Sequence, residues 1–254
     1  MSAILETKGL GKRFGAFAAN CDIDFSVNEG ELRAVIGPNG AGKTTFFNLL
    51  SGYAQATEGE IFFRGERITT VTGPRRVRRG IAKAFQTANV YPDETVLQNC
   101  RLAALAHAQG GFALEVFRSS RRLAAVDTTA YEALALVDLE ASADVRAGDL
   151  SHGDKKRLDI AVALATKPQI LLLDEPVAGM SIEEVRKTDA LIRALAKKMT
   201  VLIIEHDMHM IMGISDSITV LHQGKILAEG TPAEIRANAR VQEAYLGGHV
   251  EGNL

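Results

Sequence analysis

The chain has 254 residues, 46% of them hydrophobic and 24% charged, with a formal net charge of -2. That length allows one large α/β domain, or a core carrying a subdomain, with a sizeable buried interior. The near-neutral balance argues against a dedicated nucleic-acid binder, whose surface would be basic. Cys21 and Cys100 stand far apart and form no metal-type spacing, so two reduced thiols are expected. Residues Met1 to Glu6 show no basic segment followed by a long apolar one, and no apolar run approaches bilayer length. The expected compartment is therefore the cytosol, with any membrane role exercised through a partner.

Residues 4–10 and 21–27 read as strands. Ile23, Phe25 and Val27 alternate with Asp22, Asp24 and Ser26, the period of a half-buried antiparallel strand. Asn28-Glu29-Gly30-Glu31 is a turn, and Leu32-Arg33-Ala34-Val35-Ile36 a short buried strand. It runs into Gly37-Pro38-Asn39-Gly40-Ala41-Gly42-Lys43-Thr44-Thr45, which has the pattern of a phosphate-binding loop. Glycines let the backbone approach an anion closely, so that successive N–H groups line a nest for phosphate oxygens. Lys43 supplies a mobile charge for the β- and γ-phosphates, and the Thr44 hydroxyl a ligand for Mg²⁺. The helix beginning near Gly42 aims its positive end at the same phosphates. Its apolar face, Phe46, Phe47, Leu49 and Leu50, stops at Ser51-Gly52.

Further strands are expected at 60–64 and 81–87. Between them Arg75, Arg76, Arg78 and Arg79 read as a solvated helix face. Residues 94–145 are rich in Ala and Leu at helical spacing and read as a helical subdomain, its first long helix broken at Gly110-Gly111. A helix is expected from Ser151 to about Thr166, a buried strand at 169–173, an amphipathic helix at 182–198 and a buried strand at 200–204. The alternation implies parallel pairing with helices on the faces. A hairpin turning at Gln223-Gly224 and a short helical tail close the chain.

Leu171-Leu172-Leu173-Asp174-Glu175-Pro176 puts two carboxylates at the end of a buried strand, where ligands of open α/β sheets collect. There Asp174 would organise Mg²⁺, directly or through water, and Glu175 would polarise a water for attack on a γ-phosphate.

Five spaced segments now carry a family resemblance. They are the loop at 37–45, Gln86, Leu150-Ser151-His152-Gly153-Asp154, the pair Asp174-Glu175, and Glu205-His206-Asp207, with Phe14 ahead of them. In this order they resemble the nucleotide-binding subunit of ABC transporters over nearly the whole chain. The resemblance implies a P-loop NTPase (RecA-like) α/β core, 1–87 and 159–254, with an antiparallel β subdomain. An inserted α-helical subdomain, 88–158, would carry the signature. It implies ATP and Mg²⁺ as cofactors, Phe14 stacked on adenine, Gln86 touching metal and water, and His206 holding the γ-phosphate. Ser151 and Gly153 would complete the site of a second subunit, the same chain or a paralogue, in a head-to-tail dimer. The remaining implied partners are membrane permease subunits and, indirectly, a periplasmic binding protein, with the chain peripheral on the cytoplasmic face of the inner membrane.

His152, Asp154 and Ser181 depart from the commonest pattern of the family, where glycine, glutamine and aspartate stand. With Glu175-Pro176-Val177-Ala178-Gly179-Met180 and Leu227-Ala228-Glu229-Gly230-Thr231-Pro232, the signature resembles the ATPases of branched-chain amino acid importers and their relatives for urea and short amides. Export of a lipid, or a soluble ATPase serving as an assembly module, are the alternative expectations. A P-loop kinase would need an acceptor site and a lid, and the signature helix speaks against it.

Overall fold

The computed structural model describes residues 3–84, 88–109, 120–206 and 208–246. In chain order the elements are β1 (Ala3–Phe14), β2 (Phe17–Asn28), β3 (Leu32–Ile36), α1 (Lys43–Ser51), β4 (Glu58–Phe63), β5 (Glu66–Arg67), α2 (Gly73–Arg79), β6 (Ile81–Ala84) and α3 (Val96–Gln109). There follow α4 (Ser120–Leu136), α5 (His152–Leu164), β7 (Ile170–Asp174), α6 (Ile182–Ala196), β8 (Thr200–Ile204), α7 (Met208–Ile214), β9 (Ser217–His222), β10 (Lys225–Gly230), α8 (Pro232–Ala237) and α9 (Ala239–Leu246). The contacts divide the chain into two compact units, Met1–Gly73 with Leu195–Leu254, and Pro74–Ala194.

The first unit holds an antiparallel sheet in the order β2-β1-β4-β5. β1 and β2 are each longer than expected because they run on to an exposed hairpin tip where Phe14 pairs with Phe17. Ile23, Phe25 and Val27 turn inward and Asp24 and Ser26 outward, as their alternation requires. The same unit holds β3 between two parallel partners, β8 and β9. Every residue of β8 is buried, and so is β3 but for Arg33, matching strands covered on both faces. β10 returns antiparallel to β9 through Gln223 and Gly224, both at positive φ, which suits a two-residue hairpin. α1 buries Phe46, Phe47, Leu49 and Leu50, and Phe46 meets Phe25 edge to face at 5.2 Å. Each such side chain contributes about 1.5–3 kcal/mol by leaving water.

In the second unit β6 and β7 pair in parallel, with Lys83 opposite Leu172. Helices α3, α4 and α5 contact one another there, and the insert foreseen at 88–158 lies within this unit. Its core includes Leu97 and Cys100 of α3, Ala130 and Leu134 of α4, and Leu158 of α5. α3 ends at Gln109; the expected break at Gly110-Gly111 lies outside the described residues.

One expectation needs correction. Arg75, Arg78 and Arg79 do face solvent, but Arg76 is 0% exposed. Burial, and then the neighbouring Arg79 charge, lower its pKa to about 10. The charge run in the sequence could not show that one arginine in four points inward. Among the described residues no helix is long and apolar enough to cross a membrane.

Both cysteines are free, Cys21 half-buried and Cys100 buried, with burial pushing the Cys100 thiol up to about 12. A thiolate-selective reagent at neutral pH should therefore label Cys21 in the native protein and Cys100 only after denaturation. Equal native labelling rates, read by peptide mass spectrometry, would contradict the packing of α3.

Candidate functional site

In the first unit the loop at 37–42 follows directly from the carboxyl end of β3. Gly42 precedes α1 at φ 96°, and a Cβ there would stand 2.4 Å from the Ala19 carbonyl oxygen. Only glycine lets β2 press this closely on the start of the helix. Asn20 of β2 adds a hydrogen bond from its side-chain amide to the Gly42 carbonyl, at 3.3 Å. Lys43 is 6% exposed, and its ammonium donates to the carbonyls of Gly37 at 2.7 Å and Pro38 at 3.1 Å. Two carbonyl dipoles of the loop are thus satisfied by a cation within the loop itself. Asn39, Gly40 and Thr44 are exposed, Pro38, Gly42 and Thr45 half-buried, and Ala41 buried.

His206 belongs to the same unit. Val35 of β3 pairs with Ile204 of β8, so Gly37 and His206 both lie two residues beyond paired positions on neighbouring parallel strands. His206 is exposed, and its backbone N–H donates to the Glu205 carboxylate at 3.0 Å. Phe14, 56% exposed at the β1–β2 hairpin, carries the Lys12 ammonium 5.0 Å from its ring centre. An exposed aromatic face is what a stacking role requires.

The C-terminal tail reaches this loop, which the sequence reading missed. A cavity of about 540 Å³ is lined by Pro38 to Ala41, His222, Leu227, and Arg240 and Glu243 of α9. Burial pushes the Tyr245 phenol up to about 12, while a hydrogen bond with the Gly37 backbone pulls it the other way. Nothing in the tail sequence marks Tyr245 out from an ordinary helical aromatic.

In the second unit Asp174 ends β7 at 3% side-chain exposure and pairs with Lys83 of β6 at 2.8 Å. Its Oδ1 atom is buried without a hydrogen-bond partner among the described residues. Glu175 follows with φ 51°, a left-handed backbone rare outside glycine and frequent at functional sites. Its carbonyl accepts from the buried Lys156 ammonium of α5 at 2.8 Å. One helix therefore links Glu175 to the predicted signature. Ser151 caps α5, its hydroxyl oxygen accepting from Asp154 N–H at 3.1 Å. Gly153 is buried, and a Cβ there would meet Glu184 Oε1 at 2.3 Å.

The departures from the common signature have local explanations. Asp154 is engaged by Arg157 one turn on. Ser181 donates to Glu184 from its backbone N–H at 2.8 Å and its hydroxyl at 2.7 Å, forming a reciprocal cap on α6. Those bonds hold the Glu184 carboxyl below the usual carboxylate range. The His152 ring lies against Gly179, where a Cβ would come within 3.4 Å of Nε2. Gln86 lies outside the described residues.

A phosphate loop after a parallel strand, a serine-capped helix and an Asp-Glu pair at the end of a buried strand are the features of a nucleotide-binding ATPase cassette. The model of the ABC transporter family matches residues 21–178, and that of the branched-chain amino acid ATP-binding cassette transporter matches 225–251. The chain is 41% identical to the high-affinity branched-chain amino acid transport ATP-binding protein BraF of Pseudomonas aeruginosa, over 96% of this chain and 98% of that protein. It is 39% identical to LivG of Escherichia coli, over the same shares of each. Among solved structures it resembles the ADP conformation of MJ1267, an ATP-binding cassette of an ABC transporter, with TM-score 0.84 and 31% identity, covering 97% of this chain and 100% of that one. It also resembles the dimeric post-hydrolysis state of MJ0796 bound to ADP and Pi, with TM-score 0.77 and 25% identity, over 90% and 98%. The chain belongs to the ABC transporter family, as an ATP-hydrolysing, nucleotide-binding cassette.

Tyr245→Phe keeps the ring and removes the hydroxyl that meets the phosphate loop. The KM for ATP is expected to rise about fivefold, the equivalent of one hydrogen bond of about 1 kcal/mol, with kcat nearly unchanged. Steady-state kinetics showing an unchanged KM would mean that the tail does not steady the loop.

Proposed function

We propose that this chain is the ATP-hydrolysing subunit of an importer of branched-chain amino acids. One observation carries the cargo: the match of residues 225–251 to a family defined by that cargo, added to full-length likeness to BraF. Urea, short amides, lipid export and a membrane-free assembly role have no such support.

In this reading Phe14 stacks on adenine, the loop from Gly37 to Gly42 cradles the phosphates, and Lys43, Thr44 and Thr45 complete the cradle. Asp174 and Thr44 are the residues that would hold Mg²⁺, joined by Gln86. The Asp174 Oδ1, without a hydrogen-bond partner among the described residues, and the hydroxyl-bearing, exposed Thr44 suit a hard, oxygen-seeking cation. Bound there, the metal supplies charge neutralisation for the phosphate oxygens. Glu175 orients and deprotonates the attacking water, and His206 donates a hydrogen bond that keeps water and γ-phosphate together. Ser151 and Gly153, at the N-terminus of α5, offer an anion-facing surface to the nucleotide of a second subunit. ATP then joins two subunits head to tail, and hydrolysis lets them part. Residues 88–158 serve as the helical subdomain facing the permease, at the cytoplasmic side of the membrane, and a periplasmic binding protein delivers the cargo.

Glu175→Gln removes the base and spares the binding groups. The variant is expected to retain ATP, lose roughly a hundredfold or more in kcat, and accumulate dimers on gel filtration; rapid turnover would exclude Glu175 as the base. For the cargo, deletion of the gene should lower cellular uptake of labelled leucine, isoleucine and valine and leave urea uptake intact. The reverse pattern would overturn the assignment.

A further inference from the structure

Lys83 has no role in the proposed function, yet its ammonium contacts the Asp174 carboxylate. The two side chains are 4% and 3% exposed, and the ammonium stands 2.8 Å from Oδ2. Lys83 lies opposite Leu172 in the parallel register of β6 and β7, two residues short of Asp174. Its four-carbon stem spans that offset, so the charged end reaches the end of the neighbouring strand. The other oxygen, Oδ1, is buried with no hydrogen-bond partner among the described residues. A cavity of about 10 Å³ is lined by Asp174 together with Ala84, Lys156, Asp159, Ile160 and Pro176.

A buried carboxylate without a counter-charge is among the most destabilising groups a protein can contain. Something positive must stand beside Asp174 whenever no metal does. A lysine suits that task better than an arginine: it is a compact point charge on a flexible stem, free of the two-pronged geometry that locks a guanidinium to a carboxylate. We propose that Lys83 is the resting counter-ion of Asp174, orienting the carboxylate in the metal-free cassette and yielding it when Mg²⁺ arrives with the nucleotide. The inference rests on Asp174 being a metal residue. Two cations on one carboxylate repel each other, and the divalent one has the stronger claim. Lys83 is thus a positioning residue that acts through Asp174.

The test compares thermal unfolding of the full chain with ADP plus EDTA and with ADP plus Mg²⁺, at about pH 8. For Lys83→Met the metal-free Tm should fall by roughly 10 °C, since a buried charge loses its partner. The increment on adding Mg²⁺ should exceed that of the wild type, because the cation paired with Oδ2 is gone. The double variant Lys83→Met/Asp174→Asn should regain most of the metal-free Tm and lose the Mg²⁺ increment. An increment in Lys83→Met equal to or below the wild type's would overturn the proposal while leaving Asp174 as a metal residue. No Mg²⁺ increment in the wild type itself would remove the metal reading, and this inference with it. Should Lys83→Met fail to fold, the wild-type chain decides: crystallised with Mg²⁺-ADP, it should show the Lys83 to Asp174 contact opened beyond 4 Å (roughly the limit of an ion pair). A contact kept with metal on Asp174 would refute displacement.

Discussion

Three lysines turned inward fix the backbone and carboxylate oxygens of the candidate site. Lys43, Lys156 and Lys83 bury their stems and place their ammonium groups on oxygen atoms at the carboxyl ends of parallel strands or just beyond. Taking a charge out of water is costly, so each buried ammonium must meet acceptors of fixed position. That requirement runs in both directions. Lys43 needs the loop carbonyls, and by holding those of Gly37 and Pro38 it fixes the direction in which they point. Lys156 needs the Glu175 carbonyl, and by holding it steadies a residue in the left-handed backbone region. The loop and the carboxylate pair are shaped by cations that sequence patterns describe only as charges.

The signature of this chain looks irregular beside the common pattern, but its irregularities are matched by neighbours. The carboxylate of Asp154, in the first turn of α5, is engaged by Arg157. Ser181 supplies the reciprocal cap of α6 through Glu184. Glu184 in turn lies against Gly153, so the cap of one helix borders the signature of another within the same unit. The tail acts similarly in the other unit. α8 begins with a capping box between Thr231 and Glu234 and a proline in its first turn, which turns the chain out of β10. α9 then brings Arg240, Glu243 and Tyr245 to the phosphate loop. The segment that marks the branched-chain subfamily is thereby in contact with the part common to all P-loop proteins.

Much of this was legible in one dimension, for reasons of distance. Phosphate binding by backbone needs glycines at short, fixed spacing, so residues 37–45 declare themselves. The alternation of Ile23, Phe25 and Val27 is a local consequence of the pleat, and the unbroken Leu171-Leu172-Leu173 run a local consequence of burial on both faces. Ser151 as a cap, β7, β8 and the β9–β10 turn at Gln223-Gly224 all follow from neighbours within a few residues. Arg76 was misread because a run of four arginines carries no sign of which one faces the core. Lys83 and Tyr245 were missed because each matters through a partner about 90 or 200 positions away in the chain.

The sequence by itself determined most of the elements and their parallel pairing, and it singled out the groups proposed to meet phosphate, because each depends on residue type at near spacing. Tertiary structure alone decided where two buried ammonium groups go: Lys83 to the Asp174 carboxylate and Lys156 to the Glu175 backbone carbonyl. A contact between distant parts of the chain has no sequence period. It exists only where strand register and helix packing bring two groups within a few ångströms, and there the desolvation of both must be balanced at once.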